Sequence, residues 1–299
     1  MLRDKTVAFL GAGSMAESMI SGIVQIGSIA TERIYVTNRS NQLRLEEMNR
    51  VYGVHAVHQD ALPYEEVDFF ILAMKPQGAA DALDALKDKI RVDQVVISVL
   101  AGISTEFMEN HLQLGQQVVR LMPNTSSMIR ESATALCPGR HTAMDNVIAV
   151  KELLGCMGKV FLIEEEHMDI FTGIAGSGPA YFYYLMEHME HAGVKKGMDE
   201  AMVREIVAQT ILGAAKMIMV NDETPASLRE KVTSPNGTTA SGLDALRKNN
   251  GGRAISQAIH HAAKRSKELN EEMAVAYRKS TMPPRVLGNF STIKGRCMS

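Results

Sequence analysis

The sequence predicts an α/β fold, in which a doubly wound sheet in the N-terminal half is followed by an all-α C-terminal region. Three observations predict it. Short apolar runs alternate with helical patterns as far as residue 163, which is typical of βαβ units. These runs are apolar at nearly every position, so the sheet is expected to be covered on both faces. From residue 167 to about 278 only long helical patterns follow.

The elements of the sheet region follow one another in a regular order. Each strand is predicted from a short apolar run, and each helix from apolar residues spaced three and four apart. The predicted strands are 6–10, 33–37, 68–73, 94–99, 117–122, 132–136 and 158–163. The helical segments between them extend to about residues 26, 49, 89, 112 and 157. This alternation predicts a parallel sheet.

The alternation of strand and helix patterns ends at the acidic run 164–166, which marks a domain boundary. We expect a sheet domain at 1–164, a helical domain at 165–276 and a mobile tail at 277–299, where no periodicity is visible. One helical segment, 206–220, is apolar on nearly every side and must be buried all round. A helical domain of about 110 residues has limited capacity to bury it alone. A second copy of the chain is therefore expected to cover it, in a homodimer or a higher homo-oligomer.

Composition argues against several classes of protein. The formal net charge is −2, whereas a nucleic-acid-binding protein normally carries a basic excess. No apolar run reaches the roughly 18 residues that a membrane span needs, and the first residues do not resemble a cleaved signal. The three cysteines are far apart and odd in number, so they predict neither a disulfide framework nor a metal site. We expect a reduced, cytoplasmic protein that binds no nucleic acid, membrane or metal.

A glycine motif follows the first predicted strand and opens the first helix. The run is Gly11-Ala12-Gly13-Ser14-Met15-Ala16. In this context Gly11 permits a tight turn, Gly13 lets the backbone approach a pyrophosphate, and Ala16 keeps the helix close to the sheet. A Gly-x-Gly pattern alone is weak evidence. Its place between a strand and a helix of a βαβ unit predicts a Rossmann-type dinucleotide site.

The end of the second predicted strand indicates which dinucleotide binds. An acidic residue there would bind the adenosine ribose of NAD. This chain has Asn38, Arg39 and Ser40 instead, which can accept a 2′-phosphate with no carboxylate to repel it. The alternative is that Arg39 is only a solvated loop residue. We expect NADPH to be preferred, with NADH as a possible substitute.

Further candidates follow other strands, because the carboxyl ends of strands line the ligand crevice of a doubly wound sheet. Met74, Lys75 and Pro76 follow the strand 68–73, and Lys75 is expected to contact cofactor phosphate or ribose rather than act as a catalytic acid. Ala101 follows the next strand. The run Met122-Pro123-Asn124-Thr125 suits a loop on the nicotinamide side.

The segment 232–243 breaks a helical pattern with Ser-Pro-Asn-Gly and then places two threonines where a new helix begins. A helix start leaves backbone N–H groups without partners, which suits a carboxylate, and the hydroxyls can orient a second polar atom. Taken alone, the segment is more typical of an ordinary N-cap after a proline turn.

Together these motifs identify a family. The chain resembles pyrroline-5-carboxylate reductases over about residues 6–275. The matching runs, in order, are Gly11-Ala12-Gly13-Ser14-Met15-Ala16, Ala73-Met74-Lys75-Pro76-Gln77, Ala101-Gly102-Ile103-Ser104, Arg120-Leu121-Met122-Pro123-Asn124-Thr125, Gly176-Ser177-Gly178-Pro179-Ala180-Tyr181 and the segment 232–243. The resemblance implies a helical dimerisation domain and NAD(P)H-dependent reduction of 1-pyrroline-5-carboxylate to L-proline, the last step of proline biosynthesis.

The resemblance also implies roles for individual residues. The substrate would lie between the nicotinamide and the loop 234–239, with the Thr239 hydroxyl on the ring nitrogen. Ser234 and backbone donors near Gly237 and Thr238 would bind the substrate, the donors taking its carboxylate. Two positions depart from the family. Asn236 replaces a glycine, and Asp60 stands where an Asn commonly contacts the adenosine part of the cofactor.

Two alternative functions are weighed against this one. A reductase of the β-hydroxyacid dehydrogenase type needs a Lys acid on the helix after its Gly-Ser-Gly motif, and the helical segment 178–191 contains none. A non-catalytic NADPH-binding regulator would have no reason to keep the groups of segment 232–243. Ser177 lacks the context of a nucleophile, and the cluster 187–191 with two histidines is expected to be a solvated helix face.

Overall fold

The computed structural model describes residues 2–281, and the side chains of 274 and 276–281 are not described. Its N-terminal half is an eight-stranded sheet in the order β3-β2-β1-β4-β5-β6-β7-β8. This sheet and the helical region after it confirm the predicted fold class. The strands are β1 (Val7–Leu10), β2 (Ile34–Thr37), β3 (His55–Val57), β4 (Phe69–Leu72), β5 (Val95–Ser98), β6 (Gln117–Met122), β7 (Ser132–Pro138) and β8 (Gly158–Leu162).

Five helices cover the two faces of the sheet. Alternate residues of β1 enter different cores: Val7 and Phe9 face the core on one side, while Ala8 and Leu10 face the core on the other. Both faces are therefore buried, which is why the strands read as continuous apolar runs. The helices are α1 (Ser14–Ile26), α2 (Gln42–Tyr52), α3 (Ala79–Lys87), α4 (Thr105–His111) and α5 (Met144–Leu154).

The last two strands, β7 and β8, run against the other six, which the predicted parallel sheet did not include. β7 pairs antiparallel with β6, whereas every other neighbouring pair is parallel. The connection 123–131 explains this reversal. A parallel return needs a crossover of about a dozen residues or more, and this connection is too short to supply it.

The short strand β3 was not predicted either. It has only three residues, all partly or fully exposed, and it pairs only with β2 at the outer side of the sheet. An edge strand with one neighbour does not need an apolar run. Its sequence His55-Ala56-Val57 therefore carries no strong strand pattern.

After residue 164 the described chain contains helices and no strand, as predicted. A π-helical turn at Thr172–Gly176 joins α6 to α7, and Gly173 lets the last helix approach closely, since an added Cβ would lie 2.6 Å from the Ile259 carbonyl oxygen. The helices are α6 (Met168–Phe171), α7 (Gly178–Val194), α8 (Glu200–Val220), α9 (Pro225–Lys231), α10 (Thr238–Lys248) and α11 (Gly251–Thr281).

Helix α8 contains the segment that was expected to be buried on all sides. Its own chain does not bury it, since Val203 and Val207 are its only buried residues, and the cover expected from a second copy stays a prediction. Leu212, Met217 and Ile218 are 40–49% exposed. A single layer of neighbouring helices can cover only one side of α8, so the rest of its apolar surface stays open in the isolated chain.

A buried ion pair connects the two regions. Arg120 on β6 is buried, and its guanidinium binds the carboxylate of Glu165, which begins the helical region. The second carboxylate oxygen accepts hydrogen bonds from the backbone N–H and the hydroxyl of Thr105, at 3.3 and 2.9 Å. Glu165 therefore joins the end of the sheet region to β6 and to the start of α4.

Helix α11 continues through Thr281, so the first residues of the segment predicted as a mobile tail are helical. Residues 282–299 lie outside the described part of the chain, and the prediction of a mobile tail stays a prediction there. No helix between residues 2 and 281 has the length and apolar character needed to cross a membrane.

Candidate active site

The carboxyl ends of four strands meet at one edge of the sheet. Leu10, the last residue of β1, is in register with Thr37 of β2 and with Leu72 of β4. Leu72 is in turn in register with Ser98, the last residue of β5. The loops that follow these strands therefore begin side by side. They contain the predicted cofactor residues of the glycine motif, the 38–40 loop, the 74–76 loop and Ala101.

Gly11 makes the tight turn that leaves β1. Its φ is +118°, a conformation that side-chain-bearing residues rarely adopt. An added Cβ would lie 2.5 Å from the carbonyl oxygen of Ala73, which follows β4. The Gly11 N–H also donates to the Thr37 carbonyl at 3.0 Å. Gly11 is thus required by the chain's own backbone, independently of any ligand.

Gly13 differs from Gly11, because the chain itself does not require a glycine there. Its φ is −77°, and an added Cβ would meet nothing nearer than the Ala73 carbonyl oxygen at 3.8 Å. Gly13 precedes α1, whose start at Ser14 and Met15 has no side-chain cap. Uncapped N–H groups with open space before them suit a phosphate, so these residues fit the pyrophosphate of a dinucleotide.

The loop after β2 is shaped by Asn38. Its side-chain oxygen accepts hydrogen bonds from the backbone N–H groups of Ser40 and Asn41, at 3.1 and 3.0 Å. Arg39 and Ser40 are exposed, and no hydrogen bond connects the Arg39 guanidinium to any other described residue. This geometry leaves Arg39 available for an anionic ligand. Its cofactor role stays a prediction.

The other predicted cofactor residues lie around the same edge. Lys75 is exposed and precedes the short turn Pro76–Gly78, while Met74 packs partly into the core. Ala101 is exposed at the loop after β5. Asp60 lies in the turn after β3, at the outer side of the sheet, with its carboxylate 3.3 Å from the imidazole Nδ1 of His58.

Two contacts at this edge were not predicted from the sequence. The Nδ2 of Asn124 donates to the Ala175 carbonyl at 2.9 Å, which attaches the loop after β6 to the π-helical turn. The Nε of Arg44 donates to the Ala12 carbonyl within the glycine motif, at 3.0 Å. Both contacts join residues distant in sequence, so no local pattern indicates them.

The loop before α10 forms the turn expected from Ser234-Pro235-Asn236-Gly237. The Gly237 N–H donates to the Ser234 carbonyl at 3.1 Å, and Asn236 has a φ of +57°. A proline followed by a residue with positive φ is characteristic of a type II turn, and Asn adopts that conformation more readily than most residues. A Cβ on Gly237 would clash with the Ser234 hydroxyl oxygen, so a larger residue here would force the Ser234 side chain to move.

This turn presents polar groups that the described chain does not use. Gly237 precedes α10, and no side chain caps the helix start. The hydroxyls of Ser234, Thr238 and Thr239 have no hydrogen-bond partner among residues 2–281. Ser234 and Thr238 are exposed and Thr239 is half-buried. Free hydroxyls beside free N–H groups can bind a small ligand that carries a carboxylate.

The structure does not bring this turn to the cofactor edge of its own chain. α10 packs against α11, and no hydrogen bond between described residues joins the turn to the strand ends. Helix α11 does reach that edge, because a Cβ added to Gly102 would lie 3.6 Å from the Leu269 carbonyl oxygen and 3.6 Å from the Asn270 side-chain oxygen. One chain therefore carries both halves of the predicted site in separate places.

The remaining candidates have ordinary surroundings. Ser177 lies between the π-helical turn and α7, and its N–H donates to the Thr172 carbonyl at 2.8 Å. Most of the cluster 187–191 is exposed on α7, where Glu190 pairs with Arg204 at 2.8 Å. Between residues 2 and 281, no three His, Cys, Asp or Glu side chains lie close enough together to bind a metal ion.

Comparison with known proteins agrees with this geometry. Residues 165–269 match the family model for pyrroline-5-carboxylate reductase dimerisation, and residues 6–102 match that for the coenzyme F420-dependent NADP oxidoreductases. Pyrroline-5-carboxylate reductase 1 of Bacillus subtilis is 57% identical over 90% of this chain and 91% of its own length. Pyrroline-5-carboxylate reductase 2 of the same organism is 43% identical over 91% of this chain and 98% of its own length.

Solved structures give the same result. A pyrroline-5-carboxylate reductase from Coxiella burnetii superposes with a TM-score of 0.84 at 30% identity, covering 89% of this chain and 99% of that one. A pyrroline carboxylate reductase from Plasmodium falciparum, solved with NADP bound, superposes with a TM-score of 0.80 at 26% identity, covering 90% of this chain and 100% of that one. From the sheet edge, the unused polar turn and these relatives together, we conclude that the chain belongs to the pyrroline-5-carboxylate reductase family.

Proposed function

We propose that this chain reduces 1-pyrroline-5-carboxylate to L-proline, with NADPH as the preferred source of hydride. The observation that carries the proposal is the turn before α10, where the hydroxyls of Ser234, Thr238 and Thr239 and the first N–H groups of the uncapped helix have no partner in the described chain. Polar groups left free in this way are expected where a ligand supplies the partners. Membership of the reductase family indicates which ligand this is.

The cofactor would bind along the edge formed by the four strand ends. Gly11, Ala12, Gly13, Ser14 and Met15 would receive the pyrophosphate at the start of α1. Asn38, Arg39 and Ser40 would receive the adenosine ribose and its 2′-phosphate, and the free guanidinium of Arg39 favours NADPH over NADH. The other residues proposed to contact the cofactor are Asp60, Met74, Lys75, Pro76 and Ala101.

The substrate would bind at the turn before α10. Its carboxylate would accept hydrogen bonds from the N–H groups near Gly237 and Thr238, where the start of α10 favours negative charge. The Ser234 hydroxyl would add a further polar contact, and the Thr239 hydroxyl would fix the ring nitrogen of the imine. Once protonated, a cyclic imine already accepts hydride readily, so orientation contributes more than acid–base catalysis. Bound NADPH would supply that hydride.

The two half-sites would come together between two copies of the chain. Support comes from the turn, which lies away from its own cofactor edge, and from α8, whose exposed apolar residues need a cover. We propose a homodimer, or a larger assembly built from it, in which one copy's turn completes the other's site. A cytoplasmic location is also proposed, since the described cysteines Cys137 and Cys156 are free and buried.

The alternative reductase of the β-hydroxyacid dehydrogenase type has less support. That chemistry needs a Lys acid on the helix after Gly176-Ser177-Gly178, and α7 from Gly178 to Val194 contains no Lys. A non-catalytic NADPH-binding regulator would bind the cofactor but would leave 1-pyrroline-5-carboxylate unchanged. The experiment below separates both alternatives from the proposal.

The substitution Thr239→Ala tests the assigned chemistry. We expect turnover with 1-pyrroline-5-carboxylate and NADPH to fall at least tenfold, since losing a hydrogen bond to a charged group costs about 1.5–3 kcal/mol. NADPH affinity should not change, because the Thr239 hydroxyl is assigned to the ring nitrogen of the substrate and to no atom of the cofactor. Following NADPH oxidation at 340 nm gives the turnover, and NADPH fluorescence gives the affinity.

Thr233→Ala is the matched control. Its hydroxyl donates to the Arg229 carbonyl at 2.6 Å at the end of α9, so its loss removes a local contact only. Turnover of Thr239→Ala equal to that of Thr233→Ala would remove Thr239 from the mechanism. Tight NADPH binding by the wild-type protein without any oxidation would instead support the regulator.

A further inference from the structure

Arg44 makes an unusual set of contacts for a residue in the first turn of α2. Its Nε donates to the Ala12 carbonyl at 3.0 Å, within the glycine motif. Its two remaining nitrogens bind the carboxylates of Glu17 on α1, at 2.5 Å, and Glu47 on α2, at 2.6 Å. The side chain is only 19% exposed. One guanidinium therefore connects the glycine motif to α1 and α2.

The second oxygen of Glu17 is also engaged. The Tyr52 hydroxyl donates to it at 3.1 Å, so Glu17 lies between Tyr52 and Arg44. Burial raises the pKa of the Tyr52 phenol, and the hydrogen bond to Glu17 raises it further. The hydrogen bonds to Glu17 and Glu47 raise the pKa of Arg44, which stays charged. A planar guanidinium with several fixed partners holds its neighbours in one arrangement.

The carbonyl of Ala12 is the important partner. It lies between Gly11 and Gly13, in the run that precedes the uncapped N–H groups of α1. A carbonyl oxygen carries partial negative charge and disfavours a nearby phosphate, whereas N–H groups favour it. By binding this carbonyl, Arg44 fixes the orientation of the peptide group at the point where a pyrophosphate would approach.

Arg44 is unsuited to bind a phosphate itself. Its donors are directed at one carbonyl and two carboxylates, and the group Arg44, Glu17 and Glu47 carries a net negative charge. The Arg39 guanidinium, five residues earlier, is exposed and has no hydrogen bond within the described chain. The two arginines beside the cofactor edge therefore have different tasks.

We infer that Arg44 is a positioning residue for the dinucleotide: it sets the glycine motif through the Ala12 carbonyl and contributes to the affinity for NADPH and NADH alike. The inference rests on the proposed use of a nicotinamide cofactor. It separates Arg44 from Arg39, which acts on the 2′-phosphate and so on NADPH alone. Arg44 touches neither the substrate nor the reacting atoms, so it does not set the rate of a fully loaded enzyme.

The test measures binding of NADPH and of NADH by their fluorescence in the full-length chain, without substrate. For Arg44→Met we expect both dissociation constants to rise by about tenfold, because a charge-assisted hydrogen bond to the motif is lost. Their ratio should stay the same. In steady-state assays the KM for NADPH should rise similarly, while kcat at saturating NADPH stays within about twofold of the wild type. Arg39→Met should weaken NADPH binding only.

Arg91→Met is the matched control. Arg91 also binds one carboxylate, Asp93 at 3.0 Å, and one backbone carbonyl, Glu65 at 2.5 Å. It precedes β5 and therefore lies at the amino ends of the strands, away from the cofactor edge. Its loss should leave both dissociation constants unchanged. Arg44→Lys keeps the charge without the planar fork, so it should give intermediate affinities with the same ratio. It replaces Arg44→Met in the comparison if that variant does not fold.

Two results would overturn the inference. Wild-type affinity in the Arg44 variants would show that the Ala12 contact does not influence binding, and a loss confined to NADPH would make Arg44 a direct phosphate ligand. Both results are independent of the substrate, because the binding experiment contains none. Failure to reduce 1-pyrroline-5-carboxylate would contradict the proposed function but would leave this measurement intact.

Discussion

The sheet region and the helical region bury their apolar residues to very different extents. Phe9, Phe69 and Phe70 of the sheet are completely buried by helices of the same chain. In α8 of the helical region, Leu212 and Met217 remain nearly half exposed. The sheet region is therefore complete within one chain, whereas the helical region is suited to be covered by another molecule. The proposed cofactor residues and the proposed substrate turn divide along the same line.

The largest expected effect comes from placing a charge on the exposed face of α8. In Leu212→Glu a carboxylate would be buried without a partner, which costs about 3–5 kcal/mol, and the symmetry of a homodimer repeats the cost. We expect association to weaken at least about a thousandfold. Analytical ultracentrifugation should show monomers where the wild type is dimeric or larger.

Leu114→Glu is the control for this change, since Leu114 is an exposed leucine of the sheet region, 91% accessible. Its replacement should leave the assembly intact. If Leu212→Glu assembles like the control, α8 is not covered by a second copy, and the contrast between the two regions would need another explanation.

A smaller effect is expected at the junction of the two regions. Glu165→Ala would leave the buried Arg120 without its carboxylate and would remove the partner of Thr105. Breaking a fully buried pair costs about 3–5 kcal/mol, and because the Glu165 side chain is 34% exposed we expect about 2–3 kcal/mol here. The midpoint of urea unfolding, measured at constant protein concentration, should fall accordingly.

Glu166→Ala provides the comparison, because the neighbouring Glu166 side chain is 79% exposed and its ion-pair partner within residues 2–281 is His167, with Nε2 at 3.9 Å. Its loss should change the free energy of unfolding by less than about 0.5 kcal/mol. Equal midpoints for the two variants would mean that the ion pair with Arg120 does not stabilise the junction.

The same contrast explains which parts of the fold the sequence could predict. Central strands such as β1 and β4 are covered on both sides, so each is a run of apolar residues that is easily recognised. β3 lies at the sheet edge and has no such run. The direction of β7 depends on the length of the preceding connection rather than on the residues of the strand itself.

Site residues follow the same division between local and distant causes. Gly11 and the turn at 234–237 could be predicted, because each depends on a short run of consecutive residues. Asn236 keeps the turn with a φ of +57°, as its tolerance of that conformation suggested. The bond from Arg44 to Ala12 spans 32 positions, and the distance between the turn and the cofactor edge depends on the packing of whole helices. Neither leaves a local pattern.

Both described cysteines of the sheet region are buried, so their thiols are expected not to react in the folded protein. Burial raises the pKa of Cys137 from 9.0 to about 12, helped by the nearby Glu165 carboxylate, and burial raises that of Cys156 to about 11. The thiolate is the reactive form, so its fraction at pH 8 falls about a thousandfold for Cys137 and a hundredfold for Cys156. The folded pKa values lie above the unfolded ones, so burial of the neutral thiols contributes to the free energy of unfolding. That contribution is present below about pH 9 and is lost as pH rises further.

Iodoacetamide at pH 8 should therefore leave Cys137 and Cys156 almost unlabelled in the folded protein, and peptide mass spectrometry can count these two positions alone. In urea both thiols should react, because the unfolded chain restores their ordinary pKa. The Glu165→Ala variant removes a carboxylate whose Oε2 lies 3.6 Å from the Cys137 sulfur, so the pKa of Cys137 should fall and its labelling should become faster. Labelling of Cys156 should not change. Rapid labelling of native Cys156 would show that the sheet region opens to solvent by itself. The two regions would then differ less in how well a single chain buries their residues.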